Sequence, residues 1–185
     1  MRIGDLQKGI FMQLFSKTIS MRLVKESDAE FIVSLRTDQK YNKFLSVVAS
    51  DIEAQRNWIK QYKSDEKDGK QFYFIIERLD GTPCGTVRIY DLQEKSFSWG
   101  SWILNESKTK YSAIESAFLV YEFGFNKLNY QMSHFEVMKG NEKVISFHEK
   151  MGAIETREDP TYKYFEITRQ SVADSKVRLS KLLTA

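Results

Sequence analysis

Glu136 and His148 are the two side chains in this sequence whose setting suggests proton chemistry. Phe135 to Met138 alternates like a strand and carries the Glu136 carboxylate, and Lys139-Gly140 breaks it. Asn141 then suits a helix N-cap, since its side-chain oxygen can accept an early helical N–H. Val144, Phe147, His148 and Met151 follow at i, i+3, i+4 and i+7, the spacing of one helix face. Gly152 fits the left-handed residue that ends such a helix. A carboxylate leaving a strand and an imidazole on the inward helix face are expected to look into one cleft. There one group would take a proton and the other give one. Each also has a plainer reading: an outward strand residue for Glu136, a core histidine for His148. His134 shares the strand face of Glu136 and is a second candidate base.

The elements that must position this pair read as a mixed α/β chain. Ile19 to Val24 is a first strand, and Ser27 with Glu30 has the spacing of a capping box. The helix after it would bury Phe31, Ile32 and Leu35. A second helix is expected from Asp51 to Tyr62, with Ile52, Trp58, Ile59 and Tyr62 as its apolar points. Residues 71–92 read as a hairpin around Asp80-Gly81, a dipeptide suited to a tight turn. Ser96 to Leu104 is another strand, Ala113 to Lys127 a helix, and Tyr162 to Ile167 a last strand. The stretch from Phe97 to Met138 is then a right-handed parallel crossover. Ser112 and Glu115 again show the capping-box spacing. The tail from Ser171 to Leu183 is amphipathic through Val172, Leu179, Leu182 and Leu183, and would dock on the body or on another subunit, which leaves a homodimer open. The expected division is an extension over residues 1–18, one domain over 19–168, and a C-terminal amphipathic helix or tail over 169–185. Met12 and Met21 are alternative starts, so residues 1–11 are expected to be loosely held.

Composition narrows the function classes. With 29% charged and 42% hydrophobic residues the chain is an ordinary globular protein. A net charge of +3, with basic and acidic residues interspersed, gives no footprint for nucleic acid. Cys84 is the only cysteine, which excludes an internal disulfide, and with two histidines no metal site is expected. No apolar run is long enough to span a membrane, and the apolar patch from Ile10 to Leu14 does not make a signal peptide. A cytoplasmic enzyme is the plain expectation.

The run Glu136-Val137, Asn141, and His148-Glu149-Lys150-Met151-Gly152 resembles the signature of the GNAT (Gcn5-related N-acetyltransferase) superfamily. His148 stands where that family most often has Tyr. The resemblance implies a mostly antiparallel sheet with one splayed parallel strand pair, flanked by helices. It implies acetyl-CoA as co-substrate, its pantetheine arm inserted between the splayed strands beside Trp102, Ile103 and Leu104. Asn141 and Phe147 would touch the same arm. The family's phosphate loop falls on Lys108-Thr109-Lys110-Tyr111-Ser112-Ala113, where Thr109 and Tyr111 replace common glycines. A helix N-terminus there would still hold a pyrophosphate through free N–H groups and its dipole, helped by the lysines. By the same resemblance Glu136 is the general base that frees the amine, and His148 the acid, as imidazolium, for the departing thiolate. Cys84 sits at a strand entry and reads as structural, so direct transfer is expected.

The resemblance implies a primary amine as acceptor, expected to be that of a small molecule. Stretches around Leu35-Arg36-Thr37, Phe44-Leu45-Ser46 and residues 51–62 resemble members that acetylate amino sugars on nucleotides. Tyr41, Tyr73, Tyr90, Trp99 and Trp102 would stack on a sugar or base, and Arg36 and Arg88 would hold a phosphate. Two alternatives stay open: acetylation of a protein N-terminus or ribosomal protein, and a non-catalytic domain that binds acyl-CoA or a partner.

Overall fold

A computed structural model describes residues 12–184, with side chains through residue 179. The extension expected over residues 1–11 lies outside the described residues, as do the side chains of Leu182 and Leu183. The strands are β1 Gln13–Phe15, β2 Ile19–Leu23, β3 Phe72–Arg78, β4 Pro83–Tyr90, β5 Ser96–Leu104, β6 Met132–Met138, β7 Ile154–Glu158 and β8 Tyr162–Thr168. The helices are α1 Ala29–Thr37, α2 Gln39–Asn42, α3 Ile52–Lys67, α4 Ser112–Glu122, α5 Glu142–Lys150 and α6 Arg169–Thr184. The strands form one sheet in the order β1-β2-β3-β4-β5-β6-β8-β7. Every neighbouring pair is antiparallel except β5 and β6. No helix among the described residues is long and apolar enough to cross a membrane.

The sheet is the middle layer of three. Ile19, Met21, Phe74, Ile76, Val87, Phe97 and Phe135 pack on one face with Ala117 and Tyr121 of α4, Ile145 of α5 and Val172 of α6. On the other face Tyr73 and Ile75 meet Ile32 of α1 and Ile59 and Tyr62 of α3. Because β3 is covered on both faces, it reads as an almost unbroken apolar run rather than as an alternation.

The parallel pair is short. Only Ser96↔Met132 and Phe97↔Ser133 are in register. Beyond them β6 follows β8, while β5 stays with β4. The register of β4 and β5 slips between Thr86 and Arg88, and Ser101 opposite takes φ 48°. A bulge of this kind bends its strand, and here it carries β5 away from β6. The result is a fork in the sheet.

Local signals were redirected in three places. In the first turn Asp28, not Ser27, closes the box, accepting from the Lys25 N–H at 2.7 Å while both its oxygens hold the Arg22 guanidinium. Glu115 does not reach back to its own helix start. It is 1% exposed and takes hydrogen bonds from the Ser16 hydroxyl and from the Thr18 N–H and hydroxyl. Asn141 occupies the N-cap of α5 without a side-chain capping bond. Strands β1 and β7 and the short α2 are additions to the elements expected from sequence. Meanwhile α3 runs on to Lys67, and the end of the crossover helix, Phe123–Lys127, is a π-turn. Gly124 there is required: a Cβ would land 2.1 Å from the Phe97 ring. The tail is α6, docked on the body through buried Val172 and through Ser175, whose hydroxyl donates to the Met151 carbonyl.

Candidate active site

His148 lies on α5 where that helix crosses the fork. It is 4% exposed, and its ring centroid stands 4.2 Å from Phe135, 5.2 Å from Trp99, 5.6 Å from Phe147 and 6.3 Å from Trp102. Its Nδ1 is buried without a hydrogen-bond partner. Four aromatic rings offer an imidazolium no solvation, and burial lowers the pKa to about 3. The ring is neutral at physiological pH and so is not the imidazolium expected from sequence. Trp99, expected against substrate, is 4% exposed and serves as one wall of this box. Trp102 donates from Nε1 to the Ser116 hydroxyl at 3.1 Å and meets Phe147 across the fork at 5.1 Å.

Glu136 is not in that box. Along β6 the buried residues are Ser133, Phe135 and Val137, and Glu136 is exposed with His134 on the opposite side. Phe135 faces α5, and the two-residue period of a strand sends its neighbour the other way. Glu136 and His148 therefore lie on opposite faces of the sheet. Glu136 is exposed rather than partly buried, and its negative charge helps hold the Tyr90 hydroxyl protonated, after burial as the main cause. His134 is engaged at both ring nitrogens, Nδ1 with Ser96 Oγ at 2.8 Å and Nε2 with Asp91 at 2.8 Å. The histidine in turn holds the Asp91 carboxyl below its usual range. His134 braces the β4–β5 turn and has no free lone pair for a second base. An open cavity of about 480 Å³ lies beside it, lined by Ser96, Arg157, Tyr164 and Glu166.

On the Glu136 face, a cavity of about 210 Å³ adjoins the bulge, lined by Arg36, Gln55, Trp58, Tyr73, Arg88 and Ser101. The Arg88 guanidinium lies over Trp58 at 5.5 Å and over Tyr90 at 5.2 Å. Arg36 donates to the Ser46 carbonyl at 3.0 Å and to its hydroxyl at 2.6 Å. Of the residues expected to touch the acceptor, Arg36, Arg88 and Tyr73 line this cavity and Tyr90 packs beneath it. Tyr41 lies apart, its hydroxyl on Glu106 at 3.3 Å. Sequence reasoning missed Gln55 and Ser101 and took Trp58 for core. The signal for Trp58 was its place one turn before Tyr62, on which it stacks at 5.4 Å. Ser101 gave no signal, because a bulge is decided by pairing.

The loop before α4 is built from hydroxyls where glycines were expected by resemblance. Thr109 Oγ1 is 2.6 Å from Thr18 Oγ1 and 2.9 Å from Ser112 Oγ, which also accepts the Thr109 N–H at 2.8 Å. The Ser112 side chain is thus spent on the loop itself. Tyr111 is the N-cap residue, Lys110 lies over its ring at 5.0 Å, and Lys108 and Lys110 are exposed. Ala113 stands in the first turn, where helical N–H groups have no intrahelical acceptor. Ile103 is buried and Leu104 half-buried, leaving the β5 backbone and Trp102 to face the fork. A fork, a positive helix end and two exposed lysines fit a thioester on a long arm that ends in phosphates.

The acetyltransferase (GNAT) domain family matches this chain over residues 19–154. A solved structure of FdhC, "a nucleotide-linked sugar GNAT", is 50% identical, covering 92% of this chain and 98% of its own, with a TM-score of 0.85. A ribosomal-protein-S5-alanine acetyltransferase from Vibrio fischeri is 15% identical over 85% of this chain and 96% of its own, with a TM-score of 0.73. A spermidine N-acetyltransferase from Vibrio cholerae, solved with CoA and spermine, is 17% identical over 84% and 98%, with a TM-score of 0.70. No curated protein matches this chain at a significant level. The chain belongs to the GNAT acetyltransferases. It is an acetyl-CoA-dependent N-acetyltransferase.

Proposed function

We propose that this enzyme acetylates the primary amine of an amino sugar carried on a nucleotide, by direct transfer from acetyl-CoA. The observation that carries the reading is the 50% identity to a nucleotide-linked sugar GNAT over 92% of the chain. The ribosomal and polyamine acetyltransferases share the fold at 15% and 17% identity, which says nothing about the acceptor.

In this reading the acetyl-CoA arm enters the fork along Trp102, Ile103 and Leu104, with its phosphates at Lys108, Lys110 and the first turn of α4. Asn141 and Phe147 border the arm. The acceptor lies on the Glu136 face, against Arg88, Tyr90 and Trp58. Its amine, once it has lost a proton through water to Glu136, attacks the thioester carbonyl. A C–N bond forms, the C–S bond breaks, and the electron pair leaves on sulfur. His148, neutral and with one nitrogen unpartnered, donates a hydrogen bond to that sulfur, and water carries to the thiolate the second proton that the acylated nitrogen gives up. Both substrates are charged metabolites that do not cross bilayers, so a cytoplasmic setting goes with the reading.

The test is acetyl transfer against a panel of nucleotide-linked amino sugars, N-terminal peptides and polyamines. Turnover is expected with the first group. Turnover confined to peptides or polyamines would replace the reading.

A further inference from the structure

Arg36 and Arg88 face one cavity and share a deficit. The arginine ion pairs among the described residues are those of Arg22, Arg56 and Arg78. Neither Arg36 nor Arg88 has a carboxylate partner, and the Nε of each is buried without a hydrogen-bond acceptor. The charged and polar groups that Arg88 feels are three tyrosines and the like charge of Arg36. Two half-buried cations that face one cavity, each with a buried donor unmet, are unfavourable unless an anion joins them.

We propose that Arg36 and Arg88 form a clamp for a phosphate or diphosphate group carried by the acceptor. This rests on the reading that the acceptor is a phosphorylated amino sugar. A phosphoryl group matches two guanidiniums better than a carboxylate does, because it carries more charge and accepts from both planar forks at once. Burial, with a smaller contribution from Arg36, already pushes the Arg88 guanidinium below its ordinary value. A bound dianion reverses that. Size limits the occupant: about 210 Å³ is less than a whole drug-sized ligand occupies. The cavity holds the phosphoryl group and part of the sugar, and the nucleoside lies outside. Ser101 belongs both to this cavity and to the bulge at the fork. The clamp therefore fixes the acceptor so that its amine, about one sugar ring away, reaches the thioester. The same two charges turn away polyamines.

Calorimetry with inorganic pyrophosphate, on enzyme already saturated with CoA, tests the clamp with the phosphate loop of α4 covered. The wild type binds, and Arg36→Ala or Arg88→Gln each weaken binding by about tenfold or more, the scale of a charge-assisted hydrogen bond. The KM for a nucleotide-linked amino sugar rises in parallel while that for acetyl-CoA stays level. Arg88→Lys, which keeps the charge over Trp58 but loses the planar fork, gives an intermediate loss. Pyrophosphate affinity unchanged in both truncations overturns the clamp. A nucleotide amino sugar whose KM is unmoved by them overturns it too, while leaving the amino-sugar reading intact. Arginine-dependent pyrophosphate binding by an enzyme inactive on amino sugars upholds the clamp and removes that reading. Inhibition by an amino-sugar 1-phosphate as strong as by the nucleotide sugar assigns recognition to the phosphoryl group. Inhibition by the nucleoside alone at that strength overturns it.

Discussion

His148 is the residue where environment overrides type. An imidazole is ordinarily half-charged near neutrality, yet four rings and an unpartnered nitrogen hold this one neutral. The unfolded chain takes up a proton near pH 6.5, whereas the folded one refuses it until about 3. Stability from this group is thus complete above its ordinary pKa and is lost as the pH falls through that window. Chemical unfolding at pH 6.5 and pH 5 should show wild type losing about 2 kcal/mol more than His148→Asn. Equal losses would mean that the folded chain protonates His148 freely. In catalysis, His148→Ala should lower kcat by about a hundredfold with little change in the KM for acetyl-CoA, as expected for a donor used only as sulfur departs. A fall in acetyl-CoA affinity with kcat intact would reduce the ring to a wall of the fork. The helix spacing of Val144, Phe147, His148 and Met151 made the inward direction of His148 legible. The direction of Glu136 was not, because it depends on how the turn at Gly140, with φ 87°, sets α5 against β6.

At the scale of elements, the sheet and its crossover could be read because apolar spacing and the Asp80-Gly81 turn agreed. What escaped was held by partners distant in sequence. β7 is exposed at every position and shows no alternation, so only its pairing with β8 makes it a strand. The start of α4 is the more instructive case. A capping box was the local reading of Ser112 and Glu115, yet Glu115 is buried and bound to Ser16 and Thr18, almost a hundred residues earlier. Through Thr18 and Thr109 the same cluster shapes the loop expected to carry the CoA phosphates. Hydroxyl pairing here supplies the rigidity that a glycine loop gets from close backbone approach. Glu115→Ala takes the acceptor from the half-buried donors of Ser16 and Thr18 and should cost about 2 kcal/mol in unfolding free energy. It should also raise the KM for acetyl-CoA more than that for the acceptor. Denaturant titration and two-substrate kinetics read the two effects, and a stability loss with both KM values unchanged would detach the cluster from the loop.

For the molecule as a whole, the sheet acts as a partition with one opening. The box around His148, the start of α4 and the larger core lie on one face, and the Arg36–Arg88 cavity and Glu136 lie on the other. The pair expected to share a cleft instead lies on opposite faces, His148 packed against both strands of the fork and Glu136 on the side of the Arg36–Arg88 cavity. The direct transfer proposed above has both substrates present together. It also needs no acyl-enzyme, and the chain offers a poor one: Cys84 is fully buried, and burial raises its thiol to about 11, so little thiolate forms at neutral pH. Ser96, although bonded to His134, is itself only 5% exposed. Initial rates measured against both substrates should therefore give intersecting double-reciprocal lines, and incubation with acetyl-CoA alone should leave the protein mass unchanged. Parallel lines with a stable gain of one acetyl group would show that the two faces are used in turn, and the fork would then be a relay rather than a meeting point.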